Sequence, residues 1–286
     1  SLIISNLDFL SLIFKHFGTL VTSYLVLQIF CLPYLFIRNR YFSFEIRYII
    51  LVLLLPLISI YLIHILFFNH HTFIKTIKFE LFQLNYEANF KKKNSEERMI
   101  EIVDKINESN SDVLIFAENN FPFIINDTSI KKIKNILKKN QTVIIGGTKK
   151  ENNKYYNTLI NIESENTQSF DKKILVPFGE FLPFRNYFKF MENISGMNDY
   201  SIGTKKRLIH LNKQLSYIPV ICYEIIFYSK LINKINYNSD FIVNITNDIW
   251  FGTLRGPYQH FYLSKIRAAE LNKIILRVSN NGISRS

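Results

Sequence analysis

The feature that most constrains this chain is a pair of long apolar runs near its N-terminus. Residues 18–37 contain no Asp, Glu, Lys or Arg, and neither do residues 48–68. Each is about as long as the ~20 residues an α-helix needs to cross the hydrocarbon core. A secretory signal peptide would be one shorter apolar stretch followed by a small-residue cleavage site, so the pair predicts two transmembrane helices. Arg38, Arg40 and Arg47 lie between the runs. Basic residues close to the ends of spans stay cytoplasmic, which places everything after Phe68 outside the cytoplasm. The shorter apolar stretch 2–14 is interrupted by Asn6 and Asp8 and bounded by Lys15, and it reads as an interfacial piece. The expected division is a membrane region over 1–68 and a folded domain over 72–286.

These runs account for a mean hydropathy of +0.07 in a chain of 286 residues of which 20% are charged. The net charge is +12. Its lysines are scattered through a sequence equally rich in Asn, Ile, Phe and Tyr, so the charge reads as solvated surface and not as a nucleic-acid footprint. Attraction to anionic lipid headgroups is the partner chemistry such a charge favours beside a bilayer. Of the two cysteines, Cys31 lies inside the first apolar run and Cys222 deep in the folded domain. That separation rules out a disulfide between them. A free thiol outside the cytoplasm meets oxidants, which favours a reactive role for Cys222.

Beyond Thr72 the pattern changes to short β-type runs and amphipathic stretches. Thr76 to Leu84 alternates apolar and polar residues. Buried strands are predicted over 113–117, 142–145, 215–221, 241–245 and 274–278. Helices are predicted over 95–107, with Ser95 as its cap ahead of Glu96 and Glu97, and over 129–138, 225–235 and 258–271. The result is a layered α/β domain without internal repeats. The sequence starts without Met and stops a few residues past the last predicted strand, so both ends read as cut.

Three positions stand out chemically. Cys222 follows the apolar run 216–221 where a helical run begins, the place where a thiol is exposed at a sheet edge and its thiolate is favoured; a buried structural cysteine is the alternative. Glu118 ends a buried strand, a usual station for a catalytic carboxylate; it could equally cap a helix. Lys172 and Lys173 precede Ile174-Leu-Val-Pro-Phe-Gly-Glu180 and taken alone read as solvated.

Together, the strings Phe170-Asp-Lys-Lys-Ile-Leu-Val-Pro-Phe-Gly-Glu180, Ile221-Cys-Tyr-Glu224, Asn247-Asp-Ile-Trp-Phe-Gly252, Gly256-Pro-Tyr-Gln-His260, Arg267-Ala-Ala-Glu270 and Asn280-Asn-Gly-Ile283 resemble, in order, the blocks of the apolipoprotein N-acyltransferases. The resemblance implies a nitrilase-like αββα sandwich preceded by transmembrane helices, with Glu118, Lys172 and Cys222 as its triad. Lys172 is chosen over Lys173 by its distance from the Val-Pro-Phe-Gly-Glu block. The Ala-Glu-Asn-Asn-Phe-Pro loop departs from the family pattern, which has Pro before the Glu. A final part of the sandwich and a last membrane helix would follow Ser286.

The same resemblance implies transfer of a fatty acyl chain from a phospholipid to the N-terminal amine of a diacylglyceryl-cysteine apolipoprotein, through a thioester. It implies a multi-pass bacterial inner-membrane protein, monomeric, with its site on the periplasmic side. Glu180 and Glu224 are implied to be required, and are expected to orient the lysine and meet the incoming amine; structural ion pairing is the alternative. The Tyr223 N–H is expected to help Lys172 hold the oxyanion, and Asn157, Trp250 and His260 to pack behind the triad. No cofactor and no metal is implied: the pair His70 and His71 has no Cys or carboxylate partner at ligand spacing. A membrane-tethered amidase with the same triad, and a non-catalytic lipoprotein-binding protein, remain alternatives.

Overall fold

A computed structural model describes residues 11–38, 58, 62, 77–86, 94–187, 198–211, 215–252 and 254–286. The chain divides into two compact units, residues 77–261 with 274–286, and residues 1–76 with 262–273.

The larger unit is layered because its strands are apolar on both faces. Strands β1 (Phe79–Phe82), β2 (Val113–Phe116), β3 (Ile124–Ile125), β4 (Thr142–Glu151), β5 (Lys154–Ile162) and β6 (Thr167–Asp171) form one sheet, in the order β1-β2-β4-β5-β6 with β3 beside β4. Strands β7 (Ile209–Leu211), β8 (Leu215–Ile221), β9 (Phe241–Thr246) and β10 (Ile274–Ser279) form the other, in the order β10-β9-β8-β7. β1, β2 and β4 pair in parallel, as do β8, β9 and β10.

Side chains alternate across a strand, and β2 shows what that does here. Val113 and Ile115 join Tyr217, Phe241 and Val243 of the second sheet in a core between the sheets. Leu114 and Phe116 face the other way, onto Met99, Ile102 and Ile106 of helix α2 (Ser95–Glu108) and Ile133 of α3 (Asp127–Lys134). Two sheets face to face, with helices over the outer face of the first, make the α/β architecture expected from the sequence.

Several local expectations are corrected. The cap of α2 is Asn94, one residue earlier than predicted: its side chain accepts from the Glu97 N–H while Glu97 reaches back, completing a capping box. α3 ends at Lys134, not 138. The helix predicted over 225–235 breaks into a 3-10 turn (Cys222–Ile226) and the short α4 (Tyr228–Leu231). Asn236 takes the Leu231 carbonyl, and Asn233 takes the N–H groups of Ile235 and Asn236, so side chains outcompete the helix ladder. The β5–β6 ribbon was not anticipated; its hairpin from β4 turns on Asn152 and Asn153, both at positive φ (49° and 61°).

In the smaller unit, α1 (Ser11–Arg38) carries the first apolar run. Gly18 interrupts it with φ 69°, and the helix resumes at Thr19, whose N–H and hydroxyl both donate to Glu270 at 2.5 Å. Arg267 pairs with Glu270, so the Arg267–Glu270 block serves this junction. Both residues belong to α5 (Gly256–Leu271). Leu20, Tyr24, Leu27, Phe30 and Tyr34 of α1 are exposed. Among the described residues no helix is long and apolar enough to cross a membrane. The second apolar run, 48–68, lies outside the described residues except for Ile58 and Leu62.

Candidate active site

Each triad position sits where a strand stops. After β2 the chain turns because Asn120 folds back, its Oδ1 accepting from the Ala117 N–H at 3.0 Å, with Asn119 at φ 56°. The turn delivers Glu118 to the edge of the sheet, 4% exposed. β4 can pass beneath only because Gly146 has no side chain; a Cβ there would lie 2.7 Å from the Glu118 Cα. Lys172 follows β6 directly and is anchored through its N–H to the Asn157 carbonyl at 2.8 Å. Cys222 follows β8 at φ 50°, a left-handed conformation that costs a side-chain-bearing residue about 1–3 kcal/mol.

The three side chains meet in the buried interior of the larger unit. Lys172 Nζ donates to Glu180 Oε1 at 2.9 Å and stands 3.5 Å from Glu118 Oε1. Asn157 Nδ2 donates to both carboxylates, at 2.7 Å each. Glu180 Oε2 accepts the Val176 N–H at 2.9 Å. The Cys222 thiol lies close enough to Glu118 and Lys172 for both charges to act on it.

Burial pushes the Cys222 thiol up to about 12, and the Glu118 charge adds to this, while Lys172 and a hydrogen bond with Thr246 oppose it. The thiol therefore keeps its proton at neutral pH. Burial also raises Glu118, with Lys172 working against it and Glu180 with it. For Lys172 burial opposes the charge, but Glu118, Cys222 and Glu180 outweigh it and hold the amine protonated. A protonated thiol, a carboxylate of raised basicity near it and a fixed cation are the parts needed to generate a nucleophile on demand and to hold an oxyanion.

The other expected residues fall into place less uniformly. Glu180 orients Lys172, as expected for it. Glu224 cannot meet an incoming amine: it is fully buried and its oxygens are taken by Arg207, at 2.7 and 2.8 Å, and by the N–H groups of Lys173, Ile174 and Ile221. It ties the segment beside Lys172 to the turn that carries Cys222. Tyr223 packs on the inter-sheet core and edge-on to Phe227, with centroids 5.1 Å apart. Asn157 stands closer to the chemistry than packing requires, since it bonds two carboxylates. Trp250 does not pack behind the triad; the 3-10 turn Asp248–Phe251 leaves it 70% exposed. Sequence reasoning missed Arg207, which sits in Gly203-Thr-Lys-Lys-Arg and reads as one solvated cation among several. It also missed Arg277, for which a charge inside the apolar run of β10 was the available signal.

A Glu–Lys–Cys group at the strand ends of an α/β sandwich defines a class, and residues 81–286 match the profile of the carbon-nitrogen hydrolases; the chain belongs to that family. Among its curated relatives, the apolipoprotein N-acyltransferase of Allorhizobium ampelinum is 34% identical over 187 residues, 60% of this chain and 35% of the relative. That of Rickettsia prowazekii is 38% identical over 162 residues, 54% of this chain and 32% of the relative. The chain thus spans about a third of the length of the curated relatives it matches.

Among solved structures, a CN-hydrolase superfamily protein of Xanthomonas campestris aligns with TM-score 0.51 and 15% identity, covering 72% of this chain and 76% of that one. Nit3 of Saccharomyces cerevisiae, a nitrilase-superfamily member, aligns with TM-score 0.50 and 20% identity, covering 71% and 75%. At these identities the likeness shows the fold.

Proposed function

We propose that this chain carries the acyl-transfer domain of an apolipoprotein N-acyltransferase, anchored by its apolar N-terminal segments in a bacterial inner membrane with the site on the periplasmic side. The observation that carries the reading is the buried meeting of Lys172 with Glu118 and Glu180, within electrostatic reach of Cys222, in a chain whose curated relatives bear that name. The exposed apolar side chains of α1 support the membrane part, since water penalises such a surface.

The chemistry proceeds in two balanced halves. Glu118 takes the thiol proton of Cys222, and the sulfur attacks an ester carbonyl of a phospholipid. The tetrahedral oxyanion is held by the Lys172 ammonium. Its collapse breaks the C–O bond, and Glu118 returns the proton to the leaving alkoxide, giving a lysophospholipid and a thioester on Cys222. The free amine of a diacylglyceryl-cysteine then attacks the thioester, the C–S bond breaks, the amine's proton passes through Glu118 to the sulfur, and an amide leaves. A covalent relay spares the site from holding two lipids at once.

The test is mass spectrometry of the full-length membrane enzyme incubated with a phospholipid of defined chains. An acyl adduct on Cys222 that a diacylglyceryl peptide discharges is the expected result, and it should vanish in C222A. Turnover of small soluble amides without any adduct would replace this reading with that of a membrane-tethered amidase.

A further inference from the structure

Three sequence blocks that contain no triad residue, 247–252, 256–260 and 280–283, converge on one buried acid with Arg277 of β10. Asp248 is completely buried. Its Oδ1 lies 2.7 Å from His260 Nδ1 and accepts from the Thr246 hydroxyl at 3.2 Å. Its Oδ2 accepts from Arg277 Nη2 at 2.8 Å and from the Ser279 hydroxyl at 2.9 Å. Arg277 Nη1 in turn holds Asn244 Oδ1 at 2.5 Å. Gly282 completes the enclosure, because a Cβ there would come within 2.3 Å of Asp248 Oδ2. Burying so many polar groups is costly unless each is paired, and a fully connected network fixes one arrangement.

The far end of this network is the nucleophile. His260 Nε2 stands 3.3 Å from the carbonyl oxygen of Cys222. The peptide unit on the other side is also held, since the Ile221 N–H donates to Glu224 Oε2 at 3.0 Å. Both flanks of a residue in the left-handed region are therefore gripped by buried side chains, each backed by an arginine: Glu224 by Arg207 and His260 by way of Asp248 and Arg277. A strained conformation persists only when its surroundings over-determine it.

We propose that His260 is a positioning residue: held by Asp248, it grips the carbonyl of Cys222 and keeps the strained turn aligned so that the sulfur stays against Glu118 and Lys172. This rests on reading Cys222 as the nucleophile. The contact is to backbone and not to sulfur, so His260 transfers no proton in the reaction.

Two amide substitutions separate positioning from mere support. The amide nitrogen of Gln overlays Nε2 and reaches the Cys222 carbonyl; that of Asn overlays Nδ1 and reaches only Asp248. In the full-length enzyme, H260Q and H260N are compared with the parent by the KM and kcat of acyl transfer. They are also compared by the ratio of the iodoacetamide alkylation rate of Cys222 at about pH 7 to that at about pH 10, in which a change of access cancels. H260N is expected to lower kcat by roughly tenfold or more with KM for phospholipid unchanged, and to bring the ratio down to that of a thiol titrating without the help of Glu118, while H260Q stays within about threefold of the parent in both. A role confined to supporting Asp248 gives the reverse order, and that order, or equal loss in both variants, overturns the proposal.

Should either amide fail to fold, S279A takes its place. It frees one bond to Asp248 and is expected to lower the alkylation ratio about threefold; an unchanged ratio overturns the proposal. If the parent alkylates normally but forms no acyl adduct, the acyltransferase reading fails, while the alkylation ratios still decide the role of His260.

Discussion

Lys172 is the residue on which the site's electrostatics turn. It is the cation between two buried carboxylates, and K172M would leave Glu118 and Glu180 facing each other in the interior. Removing one partner of a buried charge group typically costs about 3–5 kcal/mol, so K172M should lower the denaturant midpoint markedly. Loss of oxyanion stabilisation should cut acyl transfer by roughly 10²–10³-fold, and a variant that keeps the parent's rate would remove Lys172 from the mechanism. Arg207 and Glu224 make the complementary case. R207M alone should destabilise by about 3–5 kcal/mol, and R207M/E224Q should recover part of it, because the amide removes the unpaired charge while its oxygen still accepts from the backbone N–H groups; equilibrium unfolding of the two variants checks this. At this scale the grouping of Glu118, Lys172 and Cys222 was expected only from the resemblance of the ordered blocks, because a strand-end acid, a lysine that reads as solvated and a cysteine in an apolar run each say little alone. The buried ion pair of Glu224 was not legible, since its partner Arg207 comes from a segment that looks solvated until the chain is folded around it.

At the scale of elements, hydrophobic period and β-branched runs located the central strands and α2, where packing and propensity agree. Boundaries failed where side chains compete for backbone groups. The cap of α2 offers a clean check: N94A should cost about 1 kcal/mol and S95A almost nothing, a difference measurable by urea unfolding and reversed if Ser95 were the cap. The run 225–235 misled because Asn233 within it and Asn236 just past it bond the local backbone. The β5–β6 ribbon was illegible for another reason: Asn157 and Asn161 interrupt its apolar pattern, and they are there to bond Glu118 and, across the sheets, the Tyr217 hydroxyl.

For the whole molecule, charge burial sets the response to acid. Glu224 and Asp248 lie below their ordinary values: burial pushes each up, but Arg207 overcomes it for the first, and the His260 hydrogen bond and Arg277 for the second. Groups depressed in the fold stabilise it above their unfolded values and lose that contribution as pH falls through the folded ones. Stability should thus decline below about pH 4.5 as the carboxylates protonate. Denaturant midpoints across this range test it.

Glu118 and Lys172 hang from one sheet and Cys222 from the other, joined across a seam of side chains. The reacting atoms therefore work as the jaws of a caliper laid over the sandwich. A slip of the two layers by a fraction of an ångström, too small to unfold anything, would already open the jaws. Turnover should consequently fade before any spectroscopic sign of melting when residues far along that seam are trimmed.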